Sequence, residues 1–233
     1  MTRWQTIGVI GGMGPAATAD FLSRLVIASG AARDEDHPRV LIDSNPAVPD
    51  RNAARAGQGP SPGPVLAAMA QGLAAAGATI LAMPCNAAHG WAADIVAATD
   101  AQFVDMIDAA VAEAAATGAR RIGIIAVGAT LDAHLYHDRL AALGIASLDC
   151  DRAVVQPLVT AIKSGDTGPA IRAALAAEAA RLTAAGADAI IAACTEVPLV
   201  LGSAAVPYID ATAALVRATL AAAKPGFAAA KNR

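Results

Sequence analysis

Residues 77–86 and 186–196 carry one pattern twice. The first stretch reads Gly77-Ala78-Thr79-Ile80-Leu81-Ala82-Met83-Pro84-Cys85-Asn86, and the second Gly186-Ala187-Asp188-Ala189-Ile190-Ile191-Ala192-Ala193-Cys194-Thr195-Glu196. They align without a gap. Each opens on Gly-Ala, runs through apolar residues that read as a buried strand, and ends on a cysteine followed by polar residues. One structural unit used twice constrains the chain to two similar halves, each with a thiol at a strand's carboxyl end.

Composition narrows the architecture. A chain of 233 residues makes one large domain or two small ones. Its 56% hydrophobic content supplies a full core, and its 3% aromatic content means that core is built from Ala, Val, Ile and Leu. Such residues suit helices packed on a parallel sheet. A net charge of −3 without Lys or Arg runs argues against a nucleic-acid partner. Every apolar run is interrupted short of membrane-spanning length, so no membrane role is expected. Met1-Thr2-Arg3-Trp4 leads into a strand without a signal-peptide layout. The Cys count of 3 fits a reducing cytoplasm better than a disulfide framework.

Along the chain, strands alternate with helices. Thr6–Ile10 reads as a strand, then Gly11-Gly12-Met13-Gly14-Pro15 turns into a helix through about Ser29. The turn offers backbone N–H groups to an anion, but its glycine spacing is not that of a dinucleotide fingerprint. Val40–Ile42 is a strand. The polar segment from Pro49-Asp50-Arg51-Asn52 to Gly63-Pro64 reads either as a lid or binding loop or as a solvated loop with an ordinary Arg. Val65–Ala76, Trp91–Ala98 and Asp108–Ala116 read as helices, with a short strand at Phe103–Asp105. Arg120–Val127 restarts the pattern, Ile122-Gly123-Ile124-Ile125 repeating Ile7-Gly8-Val9-Ile10. One helix carries Tyr136 and His137. Helices at Ala153–Ile162 and Pro169–Ala185, a strand at Val206–Ile209 and a helix from Ala211 complete the second half. Asp105 and Asp210 echo each other after the strands that follow the two thiols. The expected fold class is α/β, with a mostly parallel sheet flanked by helices in each half.

In open α/β sheets functional residues collect at carboxyl ends of strands, where Cys85 and Cys194 lie beside helix starts that favour thiolate. Facing one cleft, a thiolate and a thiol can remove a proton from carbon and return one to the opposite face. A buried Cys is otherwise a small hydrophobe, but polar residues directly after both thiols do not suit a core strand. Cys150 lacks that context and reads as structural. Cys85, His89, Cys194 and Glu196 could be imagined as a zinc set, yet no close pair has structural-zinc spacing, so no metal is expected. His89 reads instead as capping or packing in the helix after Cys85. A serine hydrolase would need a Gly-x-Ser-x-Gly elbow that is absent.

Gly11-Gly12-Met13-Gly14-Pro15, Pro49-Asp50-Arg51, Pro84-Cys85-Asn86-Ala87-Ala88-His89 and Cys194-Thr195-Glu196 together resemble the aspartate/glutamate racemase superfamily, most closely its aspartate racemase branch. The resemblance implies two pseudo-twofold-related α/β domains with the site between them. It implies racemisation without pyridoxal phosphate or another cofactor, Cys85 and Cys194 being the opposed base and acid. It implies that Arg51 and Lys163 hold the side-chain carboxylate of an acidic amino acid, with Asn86, Thr130 and Thr195 near the α-carboxylate. Met13 and Glu196 join this substrate-binding set, and a homodimer is implied. The domains are expected as 1–112 plus 212–233, the last helix returning to the first half, and 113–211. Ala87 departs from the Thr usual there, as do Ala193 and Val127 from Gly and Thr. Related alternatives are a glutamate or broad-specificity racemase, a superfamily decarboxylase or isomerase, and a non-catalytic small-acid binding protein.

Overall fold

The computed structural model describes residues 4–224 and Gly226. Residues 1–3 and, from the stretch expected to return to the first half, residues 225 and 227–233 lie outside the described residues. The first half runs β1 (Ile7–Gly11), α1 (Pro15–Ser29), β2 (Val40–Ser44), α2 (Arg51–Arg55), α3 (Gly63–Ala75), β3 (Ile80–Ala82), α4 (Ala92–Ala98), β4 (Gln102–Val104) and α5 (Met106–Ala116). The second runs β5 (Arg121–Ile125), α6 (Gly128–Asp132), α7 (His137–Ala142), β6 (Ala146–Asp149), α8 (Arg152–Lys163), α9 (Pro169–Ala184), β7 (Ala189–Ala192), β8 (Tyr208–Asp210) and α10 (Ala211–Ala223). Two four-stranded sheets share one order, β2-β1-β3-β4 and β6-β5-β7-β8, and every pairing is parallel. The α/β class with two similar halves is thus observed. In both sheets the chain first moves outward from the opening strand, then crosses back to its other side. The switch points fall between β1 and β3 and between β5 and β7, where side chains after the strands can reach a common ligand.

β1, β3 and β7 are buried along their whole length, as parallel strands covered on both faces must be. The repeated Ile-Gly-x-Ile has a packing cause. Gly8 pairs with Leu81 of β3, and a Cβ there would lie 2.8 Å from Leu81, 2.8 Å from the Ala78 Cβ and 3.2 Å from Leu73 of α3. Gly123 pairs with Ile190 of β7, and a Cβ there would meet Ile190 at 2.5 Å and Leu182 of α9 at 3.2 Å. Each glycine lets a helix settle onto the sheet. Gly8→Ala is expected to destabilise by about 1–3 kcal/mol through overpacking. Gly123→Ala should cost less, because its nearest neighbour is the movable tip of Ile190. Urea midpoints of the two variants check the order.

Each half closes with a helix that lies partly over the other half's sheet. α5 packs on β7 and β8, while α10 packs on β3 and β4, and the two helices pack on one another. The boundary expected at residue 112 falls inside α5. Arg217 of α10 forks onto Glu113 of α5 with bonds of 2.7 and 2.5 Å. Asp105 and Asp210, the echoed pair, cap α5 and α10. Each also takes an arginine from the opposite half: Arg139 of the second half reaches Asp105 at 2.9 Å, and Arg24 of α1 reaches Asp210. These reciprocal bonds fix how the two sheets face.

Three local expectations change. The polar segment after Asp50 contains α2, whose start is capped by the Asp50 carboxylate accepting from Ala53 N. The helix expected to carry Tyr136 and His137 starts at His137, with Tyr136 the residue before it, and it is separated from α6 by His134, which takes a left-handed φ of 51°. β6, not anticipated, is a half-exposed edge strand with mixed composition. Among the described residues no helix is long and apolar enough to cross a membrane.

Candidate active site

The cleft between the halves is lined by residues that follow strands at both switch points. Met13 follows β1 and Cys85, Asn86 and Ala87 follow β3; Val127 follows β5 and Cys194, Thr195 and Glu196 follow β7. Arg51 and Asn52 of α2 and Lys163 at the end of α8 complete the wall. The space between them measures about 310 Å³ with the open solvent at its mouth included. Eight residues singled out in the sequence (Met13, Arg51, Cys85, Asn86, Lys163, Cys194, Thr195 and Glu196) therefore share one wall. Thr130 does not: it is buried in α6, with its hydroxyl lacking a partner, and Val127 stands in the wall at that strand end.

α2 is a clamp between the halves. Asn52 Oδ1 accepts from Ala129 N of α6 at 2.9 Å, and Arg55 donates to Asp132 O at 2.8 Å. Asn52 was missed in the sequence because its partner is a backbone amide of the other half, although it directly follows Arg51. Arg51 itself donates from Nη1 to Val48 O at 3.1 Å and Pro49 O at 2.9 Å. Its loop thus aims the guanidinium, leaving the Nη2 and Nε N–H groups for a ligand.

The two thiols have different neighbours. Burial pushes the Cys85 thiol above its ordinary value, while Arg51, the Ala88 backbone amide and Lys163 pull it back and Glu196 opposes them. Cys194 is pushed up further, by burial first and then by the Glu196 carboxylate, with Lys163 only partly compensating. The Cys194 thiol donates to Glu196 Oε2 at 3.0 Å, the Thr195 hydroxyl donates to the same oxygen at 3.1 Å, and Lys163 Nζ lies 3.8 Å from Oε1. In the repeat, Glu196 occupies the position of Ala87. The departure at Ala87 therefore leaves Cys85 without a carboxylate or hydroxyl at the place where Cys194 has one. Cys85 is the thiol more ready to ionise, and Cys194 is held as a donor.

His89 is committed elsewhere. Its Nε2 accepts from Met106 N at 3.0 Å, so Nδ1 carries the proton and donates to Cys85 O at 2.8 Å. The ring is fully occupied in tying the first thiol stretch to the start of α5, and cannot also ligate a metal. Burial holds its pKa below the ordinary histidine value, with Asp105 opposing. The unfolded chain then binds a proton that the folded chain refuses, so this contribution to stability is present above about pH 6.5 and is lost as pH falls below it. Urea midpoints at pH 8 and pH 5.5 should show that fall. His89→Gln is expected to be less stable at pH 8 by about 1–3 kcal/mol, from unpaired buried backbone groups, and to show a shallower pH dependence. Cys150, by contrast, exchanges bonds with Ala126 O at 3.3 Å and Ala126 N at 3.4 Å. Burial pushes its thiol up to about 11, an inert structural group.

The chain as a whole is similar to known proteins. The sequence pattern of the Asp/Glu/Hydantoin racemase family matches residues 10–219. The aspartate racemase of Picrophilus torridus superposes with a TM-score of 0.86 at 28% identity, covering 94% of each chain. The broad specificity amino-acid racemase RacX of Bacillus subtilis (strain 168) is 26% identical over 227 residues, 92% of this chain and 96% of its own. The glutamate racemase of Francisella tularensis subsp. tularensis SCHU S4, solved in complex with D-glutamate, has a TM-score of 0.65 at 18% identity over 91% of this chain and 78% of that one, a likeness of fold alone. With a family pattern spanning both thiols and both switch points, the chain belongs to the Asp/Glu/hydantoin racemase family and is an amino-acid racemase of that family.

Proposed function

We propose that this racemase inverts aspartate, or a closely similar acidic amino acid, by a two-base mechanism using its own thiols. The supporting observation is the wall that holds Cys85, Cys194, Arg51, Lys163 and a single carboxylate, Glu196. Arg51 and Lys163 supply two cationic contacts, so an amino acid with a second carboxylate gains a charge-assisted bond that a neutral one cannot make.

In the forward step the Cys85 thiolate takes the α-proton: the C–H bond breaks, S–H forms, and the electron pair passes onto the α-carbon and its carboxylate. The Cys194 thiol then delivers its proton to the opposite face, leaving a thiolate. A bond from the Asn86 amide to the α-carboxylate strengthens as charge moves onto it. Glu196, already accepting from Cys194, is placed to relay a proton back to that sulfur between turnovers. The reverse direction exchanges the roles of the thiols.

A racemisation screen over the amino acids by chiral separation tests the substrate. Aspartate should show the highest kcat/KM, with alanine and serine lower by about tenfold or more for want of a second charge-assisted contact. Equal turnover of neutral amino acids would favour broad specificity, the activity named for the Bacillus relative. The room left by Ala87 in the wall is the observation on that side.

A further inference from the structure

Tyr136 is a fully buried side chain of the second half, the residue preceding α7. Its hydroxyl donates to Asn86 Oδ1 in the first half at 2.5 Å. Asn86 is itself buried, follows Cys85 directly and forms part of the cleft wall. Its Nδ2 is buried and has no protein partner.

A buried amide can be seated two ways, and the phenol discriminates between them. With Oδ1 toward Tyr136, the phenolic O–H has an acceptor and the two N–H groups of Asn86 remain for a ligand. With the amide reversed, Nδ2 could donate to the phenol, but the phenolic O–H would lose its acceptor in a buried site, at a cost comparable to a lost hydrogen bond. The reversed amide would also present oxygen lone pairs to the cleft. A carboxylate offers only acceptors, so one orientation attracts it and the other repels it. Tyr136 stays a neutral donor at working pH because burial raises its pKa well above the ordinary phenol value.

We propose that Tyr136 is a positioning residue that fixes the Asn86 amide with its N–H groups toward the cleft, where they can meet the α-carboxylate that the family resemblance places beside Asn86. The inference rests on the amino-acid racemase reading above but not on the choice of aspartate, because every amino acid carries an α-carboxylate. Since the bond spans the two halves, the amide is held this way only when the halves are docked.

The test is a double-mutant cycle of Tyr136→Phe and Asn86→Ala, with kcat, KM and melting temperature measured for all four proteins on the best substrate from the screen. Each single change should lower kcat/KM by about tenfold or more, with kcat falling as well as KM rising because the bond strengthens in the transition state, the size expected for a charge-assisted bond. In the Asn86→Ala background Tyr136→Phe should then change kcat/KM by less than about twofold, non-additivity being the mark of residues that act as a unit. A Tyr136→Phe effect of the same factor in both backgrounds, or none in the wild-type background, overturns the proposal. Should Tyr136→Phe fail to fold, the wild-type protein still decides. Its Asn86 side-chain amide resonance, assigned by its loss in Asn86→Ala, should shift on titration with succinate; no shift at saturation overturns the proposal. Absence of aspartate turnover with an intact cycle on another amino acid would sink the choice of substrate and leave Tyr136 in its role.

Discussion

Cys85→Ala and Cys194→Ala should each abolish measurable racemisation in both directions, lowering kcat by about 10²–10⁴-fold or more, the range for a positioned acid or base. The loss must be mutual, because inversion needs a proton removed from one face and another delivered to the opposite one. Exchange of the α-proton with solvent needs one thiol only. Over long incubation, through slow exchange of the remaining thiol's proton with solvent while the carbanion is bound, Cys85→Ala should therefore wash deuterium into one enantiomer of the substrate, and Cys194→Ala into the other. The unequal neighbours of the thiols make the two variants distinguishable. Cys194 bonds the Glu196 carboxylate and is the harder to ionise; Cys85 has Arg51 and the Ala88 amide on its side. Exchange by Cys194 alone, in Cys85→Ala, should be the slower of the two. Cys150→Ala is the internal control, since that thiol bonds only to Ala126, and its rate should stay within about twofold of wild type. Chiral chromatography with mass detection of deuterium reads all three proteins.

Arg51→Met carries the next largest effect. The guanidinium is aimed by Val48 O and Pro49 O at a cleft that contains Lys163 and Glu196. Losing a charge-assisted bond of about 1.5–3 kcal/mol corresponds to about 10–100-fold in kcat/KM for aspartate. Turnover of serine or alanine, which have no second carboxylate, should hardly change. Arg51→Met should thus compress the preference for acidic over neutral amino acids. Lys163→Met should do less, because Lys163 is 38% exposed and already faces Glu196 at 3.8 Å, so solvent and that carboxylate share its charge. Equal losses on acidic and neutral substrates from Arg51→Met would place the guanidinium at the α-carboxylate common to both.

The repeat was legible because strands buried on both faces leave an unbroken apolar run. The polar residues that follow each run mark where the strand end opens onto the cleft. Gly8 and Gly123 were legible as an echo, although their cause, the approach of Leu73 and Leu182, needs the packed helices. What could not be read depends on partners distant in sequence. Asn86 could be singled out from its place after Cys85, but the orientation of its amide is set by Tyr136, 50 residues away. α2 had one local signal, Asp50 as a cap, outweighed by the Gly and Pro that follow. The crossing of α5 and α10 onto opposite sheets depends on bonds such as Arg139 to Asp105 and Arg217 to Glu113, which no local pattern announces. Thr130, chosen by position in a family motif, is buried in α6 and is not among the residues that line the cleft.

The central claim, two opposed thiols acting on opposite faces, is tested most directly by the wild-type enzyme turning over L-aspartate in D₂O, with both enantiomers recovered at early times. Two separate acid–base groups deliver a solvent-derived deuteron to the product face while unreacted L-aspartate returns its own proton. The D-aspartate formed should therefore carry deuterium at the α-carbon, and the remaining L-aspartate should stay protiated. Substantial protium in the D-aspartate, or equal deuterium in both enantiomers from the earliest points, would mean that one group serves both faces and would contradict the assignment of Cys85 and Cys194.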